Sequence, residues 1–162
     1  MKSEVKKIMD DILAKFKEIN AEAGHVIPPR WLDLVYIPKL NPKEQDSFEE
    51  AIDYLISENL IEVDSKNNIK LTKKGMDYIY PVNTNELIGK IRKDIMDKFR
   101  ELNAREGHVI PARWLSLIYY PSLNPKEKEV FSKAIEDLIE EGLIAPARDT
   151  IKLTEKGVFT IY

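Results

Sequence analysis

Eight basic side chains frame the chemistry open to this sequence. Lys126, Lys128, Lys133, Arg148, Lys152 and Arg113 stand in its second half, and Lys43 and Lys66 in its first. Lysine and arginine neutralise phosphates and release their counterions, so such a group on one surface is what a nucleic acid requires. Other chemistries lack their parts. His25 and His108 are the only histidines, there is no cysteine, and no second ligand accompanies either histidine at a metal spacing. The sequence holds no Gly-rich phosphate loop and no nucleophile elbow. No metal, cofactor or catalytic residue is implied, and an enzyme is not expected. The two histidines, each beside a short apolar run, are expected to make local hydrogen bonds.

These side chains must be positioned by a unit that the chain writes twice. "GHVIPPRWLDLVYIPKLNPKE", Gly24 to Glu44, returns as "GHVIPARWLSLIYYPSLNPKE", Gly107 to Glu127. With Phe16 set against Phe99, roughly forty of about 74 aligned positions are identical, which indicates duplication of a whole domain rather than a solenoid. Residues 1–80 form the first expected domain and residues 86–162 the second. Pro81 to Asn85, "PVNTN", is the expected linker, because a proline and turn formers interrupt the pattern there.

Within each copy the apolar spacing predicts a first helix on Ile8, Ile12, Phe16 and Ile19, repeated as Ile91, Ile95, Phe99 and Leu102, and ended near Gly24 or Gly107. "HVI" suits a brief strand. Pro28 and Arg30, or Pro111 and Arg113, open a short second helix bearing Trp31 or Trp114, which Pro38 or Pro121 stops. The tryptophans suit the core better than base stacking. The apolar residues of the doubled stretch read as one core built twice.

Asn-Pro-Lys-Glu at Asn41 and at Asn124 has the parts of a capping box with proline at the first helical position. It opens a third helix, Pro42 to Asn59, burying Phe48, Ala51, Ile52, Leu55 and Ile56, with Phe131, Ala134, Ile135, Leu138 and Ile139 as its counterparts. Asn59 and Gly142 suit left-handed caps. A hairpin and a last short helix follow. The fold class is mainly α with small β-wings (α+β), and the order of elements is that of a winged helix-turn-helix.

A family resemblance rests on Ala134 to Gly157, "AIEDLIEEGLI…IKLTEKG", and on Ala51 to Gly75, "AIDYLISENLI…IKLTKKG". Both resemble the stretch shared by winged-helix transcription regulators, including MarR-like ones. The resemblance covers nearly the whole chain as a tandem repeat. It implies a third helix lying in the major groove of double-stranded DNA and a wing touching the backbone or minor groove. Lys126, Lys128, Lys133, Arg148 and Lys152 then sit where the second copy would meet DNA. Arg113, Lys43 and Lys66 are the further candidates.

Composition pulls the other way. The net charge is −3, with 33% charged residues, so any nucleic-acid site must be local. The third helix of the first copy carries Glu44, Asp46, Glu49, Glu50, Asp53 and Glu58 against Lys43 alone. The leading expectation is a small DNA-binding regulator in which two winged helices in one chain do what a dimer of single domains does elsewhere; the alternative is a protein-interaction adaptor whose acidic third helices bind a basic partner. No apolar run is long enough to span a membrane, no secretory leader is recognisable, and a cytoplasmic location is expected.

Overall fold

Helix α1 (Ser3–Glu18) turns Val5, Ile8, Ile12 and Phe16 onto one stripe, and all four side chains are fully buried. The computed structural model describes residues 1–81 and 83–162 of the chain, which divides into two compact units, Met1–Pro81 and Val82–Tyr162. The architecture is mainly helical with two small antiparallel two-stranded sheets, an α+β arrangement.

In unit 1, α1 is followed by a single bridge at Val26 and a π-helical stretch, π1 (Trp31–Tyr36), continued by one turn, α2 (Ile37–Lys39). Next come α3 (Pro42–Asp46), α4 (Phe48–Ser57), the hairpin β1 (Ile61–Val63) with β2 (Ile69–Leu71), and α5 (Lys73–Ile79). Unit 2 has the same order. It runs α6 (Thr84–Glu101), a bridge at Val109, π2 (Trp114–Tyr119), α7 (Tyr120–Ser122), α8 (Pro125–Glu140), the hairpin β3 (Ile144–Ala147) with β4 (Thr150–Leu153), and α9 (Glu155–Ile161). Each unit has its own core, centred on Phe16 and Leu55 in one and on Phe99 and Leu138 in the other.

Several boundaries differ from the expected ones. Asn20 and Asn103, at φ 52° and 50°, end the first helices, while Gly24 and Gly107 form the following turn. Ile19 and Leu102 consequently lie past the helix end and are exposed. Helix α6 begins at Thr84, inside the expected linker, because the Asn83 side chain accepts from the Glu86 amide at 3.3 Å. Val82, in that same linker, lies outside the described residues. "HVI" adds one bridge to each hairpin, Val26 to Lys70 and Val109 to Lys152, rather than a full strand.

Pro38 and Pro121 do not stop the second helix; each sits one residue inside the turn that continues it. The π geometry explains this tolerance. The Ile37 amide donates to the Leu32 carbonyl five residues back, so the ladder has already slipped by one residue where proline brings no N–H.

The third helix divides the two units. In unit 2 it is continuous, whereas in unit 1 it breaks between α3 and α4 at Ser47. The buried Ser47 hydroxyl donates to the Lys43 carbonyl at 3.1 Å, and its amide turns to the Glu44 carbonyl at 3.0 Å. Such back-bonding bends helices, and the equivalent residue of unit 2, Val130, has no hydroxyl to do it. Asn59 and Gly142 carry the expected left-handed caps, at φ 61° and 76°. Ile56 is nevertheless exposed, because it falls on the outward side of the last turn of α4.

Candidate interaction surfaces

The start of each third helix is organised by its cap. Asn41 Oδ1 accepts from the Glu44 amide at 2.9 Å, and the Glu44 carboxylate accepts from the Asn41 amide at 3.2 Å; Asn124 and Glu127 repeat both bonds at 2.9 Å. Each glutamate also meets a lysine of its unit's first helix, Lys7 with Glu44 at 3.6 Å and Lys90 with Glu127. In unit 2 the other end is pinned as well, by the ion pair of Arg92 with Glu141.

Most of the expected basic residues on these helices are already engaged. Lys43 pairs with Glu4 at 3.1 Å, and the backbone amide and Lys43 together hold the Glu4 carboxyl below its ordinary range. Lys133 pairs with Asp137 at 2.8 Å, a bond that raises the lysine above its usual value. The Lys128 ammonium lies 5.6 Å from the centre of the Tyr120 ring. Lys126 is half-buried in the first turn of α8. The acids face outward instead. Among the described residues Asp46, Glu49, Asp53 and Glu58 of unit 1, and Glu129 of unit 2, are exposed with no cation partner, and Glu136 and Glu140, also exposed, act on Lys133 at longer range without an ion pair. A phosphate backbone brought to either third helix would meet this negative surface first.

The hairpins β1–β2 and β3–β4, at the positions expected for wings, hold the remaining candidates. Lys66 is exposed at the tip of the unit 1 wing, Arg148 at the tip of the unit 2 wing, and Lys152 on β4. Arg113 is exposed at the start of π2, as Arg30 is at the start of π1. None of these five side chains has a protein partner among the described residues. The structure thus separates the expected basic group: cations on the wings and at the π-helix starts, acids on the third helices.

The histidines act locally, as expected. His25 Nδ1 accepts from the Glu22 amide and His108 Nδ1 from the Arg105 amide, both at 3.1 Å. Among the described residues no cluster of His, Cys, Asp and Glu is suited to a metal ion, and no helix is long and apolar enough to cross a membrane.

The sequence reading missed what the π turns do to the doubled stretch. A π turn brings residues five apart into register, so Trp31 stacks on Tyr36 (4.9 Å between ring centres, 19° between planes) and Trp114 on Tyr119 (5.0 Å, 17°). Lys15 and Lys98 reach over the same indoles at 4.9 and 4.8 Å, which occupies the rings that bases would need. The Tyr36 hydroxyl donates to Asp11 and that of Tyr119 to Asp94, both at 2.8 Å; burial, then these carboxylates, push both phenols well above the ordinary tyrosine value. With the five-residue pairs turned inward, the three residues before each tyrosine turn out. Leu34 is 72% exposed, Leu117 68% and Ile118 62%, with Val35 partly so, and none of them belongs to the core that the repetition suggested. The available signal was the five-residue Trp-to-Tyr spacing, repeated in both copies. No protein family, curated protein or solved structure matches the chain.

Proposed function

We propose that the chain is a pair of winged-helix domains, arisen by internal duplication, that serves as an adaptor for a basic protein segment rather than as a catalyst. The order helix, bridge, helix, third helix, hairpin, helix in both units supports the winged-helix part, together with the MarR-like "IKLTxKG" stretches. One observation carries the adaptor reading: both third helices present unpaired carboxylates outward while their lysines are engaged. On α4 the half-exposed Tyr54 ring stands between Glu50, Asp53 and Ser57, around an open depression of about 240 Å³. An aromatic face flanked by carboxylates suits the ammonium or guanidinium of a partner's Lys or Arg. Complementary charge supplies register and association rate.

A DNA-binding regulator is the second reading, supported by the unpaired Arg113, Arg148 and Lys152 on unit 2. Fluorescence anisotropy with a labelled Lys/Leu amphipathic peptide and with mixed genomic DNA fragments separates the two. The adaptor binds the peptide saturably, loses at least about tenfold in affinity in the Glu49→Lys, Asp53→Lys double variant, and leaves DNA unbound at low salt. Retention of DNA with a steep salt dependence, abolished by Lys128→Glu with Arg148→Glu and little changed by Lys43→Glu with Lys66→Glu, would replace the adaptor with the regulator.

A further inference from the structure

Between π1 and the wing of unit 1 lies a cleft of about 210 Å³. Its lining is mainly polar, with Pro29 and Leu32 offering the apolar surface over the almost fully buried Ile27 and Ile69, and its rims carry opposite charges, Asp33 on π1 and Lys66 on the wing. The two do not form an ion pair, and among the described residues neither side chain has any other protein partner. Asn67 adds a side-chain amide to the same rim, also without a protein partner.

The wing rim is held in place before any ligand arrives. The Asp64 carboxylate accepts from the amides of Lys66 (2.8 Å) and Asn68 (2.9 Å) and from Asn68 Nδ2 (3.2 Å). Asn67 lies at φ 62°, and its backbone N–H donates a hydrogen bond to the Asp64 carbonyl at 3.0 Å. A rim ordered beforehand spares a ligand that entropy.

Unit 2 keeps an unpartnered cation at its wing tip, Arg148, but lacks the acidic rim. Ser116 replaces Asp33 and donates to the Ala112 carbonyl at 2.9 Å, while the wing, one residue shorter, turns the Thr150 hydroxyl onto the Ile110 carbonyl at 2.7 Å.

We propose that the unit 1 cleft binds a small zwitterion, a free apolar α-amino acid, with its carboxylate toward Lys66 and Asn67, its ammonium toward Asp33 and its side chain over Pro29 and Leu32. An anion alone would be opposed by Asp33, and a cation alone by Lys66. The volume falls below the ~300–1,000 Å³ of pockets for drug-sized molecules and suits a ligand of amino-acid size. This site stands apart from the acidic third helices and does not depend on the adaptor reading.

Titration of the ¹⁵N-labelled full chain with L-leucine, followed by amide shifts, tests it. Saturable shifts are expected at Leu32, Asp33 and Lys66 to Ile69 at concentrations up to about 10 mM, the range of a weak small-ligand complex. Resonances of Ser116 and Arg148 to Ile151 should stay in place as the internal control. Asp33→Ser and Lys66→Ala, both at exposed positions, should each weaken binding at least about fivefold, and N-acetyl-leucine, which lacks the ammonium, should bind as weakly as leucine does to the Asp33→Ser variant. Absence of saturable shifts with leucine, equal binding of leucine and N-acetyl-leucine, or undiminished binding in both variants would overturn the proposal.

Discussion

The two units share a core and differ in how polar side chains use the backbone. Where unit 1 has Ser47, its third helix breaks; where unit 2 has Val130, α8 runs unbroken from Pro125 to Glu140 and is pinned to α6 at both ends. Unit 1 closes a five-residue wing loop on the Asp64 carboxylate, while unit 2 closes a two-residue turn between Ala147 and Thr150. The buried apolar positions tolerate only minor exchange between the copies, such as Leu13 for Met96. A packed interior constrains volume at every site, whereas surface hydrogen bonds admit local alternatives of similar free energy. The differences between the units therefore gather on the third helix and the hairpin.

The largest expected effect tests what the copies share. A Cβ at Gly75 would overlap the Leu60 carbonyl oxygen and crowd Leu71 at 2.7 Å; at Gly157 it would overlap the Leu143 carbonyl oxygen and crowd Leu153 at 2.5 Å. Backbone, not a flexible side chain, would have to move. Gly75→Ala and Gly157→Ala should each cost the unit that contains it about 3 kcal/mol, the upper range for overpacking. Denaturant unfolding read by amide exchange separates the units. If either variant loses much less than the other, the last helices do not dock equivalently.

The caps sharpen the contrast. Asn124 caps a continuous helix whose Glu127 is almost fully buried and ion-paired, so Asn124→Ala should cost unit 2 about 1 kcal/mol. Asn41 caps only the five residues of α3, beyond which the helix is already broken. Asn41→Ala should cost about half as much and reduce exchange protection chiefly over Pro42–Asp46. Equal losses would mean that the Ser47 break does not uncouple α3 from α4.

The sequence carried the repeated order of elements, both capping boxes and the left-handed positions at Asn59 and Gly142, because each rests on a local backbone need that one residue type meets. It did not carry the π turns. Trp31 to Tyr36 has apolar residues at both helical and π spacings, and the choice between them is made by tertiary partners, Lys15 over the indole and Asp11 on the phenol. Reading that stretch as an α-helix placed Leu34 and Leu117 inside when they face out. For the candidate site, sequence located the basic residues but not their partners: the Lys43 to Glu4 contact joins two helices about forty positions apart.

The smallest expected effect concerns the wings under acid. In unit 1 the Asp64 carboxyl is held below its ordinary value, chiefly by the Asn68 backbone amide, with the Lys66 amide, the Asn68 side chain and Lys70 assisting against desolvation. A carboxyl depressed in the folded state contributes stability above its unfolded value and loses it as pH falls through the folded one. The unit 1 loop should therefore stay closed at neutral pH and loosen only below the ordinary aspartate range, about pH 3.9. The Thr150 hydroxyl, which donates to the Ile110 carbonyl, does not titrate in this range, so the neighbouring bond of the Ile110 amide to the Ile151 carbonyl should not follow. The change is local, since Asp64 is solvent-accessible and its bonds span five residues. Amide shifts of Lys66 and Asn68 recorded while lowering the pH would report it, and Asp64→Asn, which removes the titrating group, should abolish the dependence. Loss of the Ile110 to Ile151 bond in parallel with the unit 1 loop would show that acid acts on something the units share, and the contrast between a wing closed on a carboxylate and one closed by its strand pairing would fall.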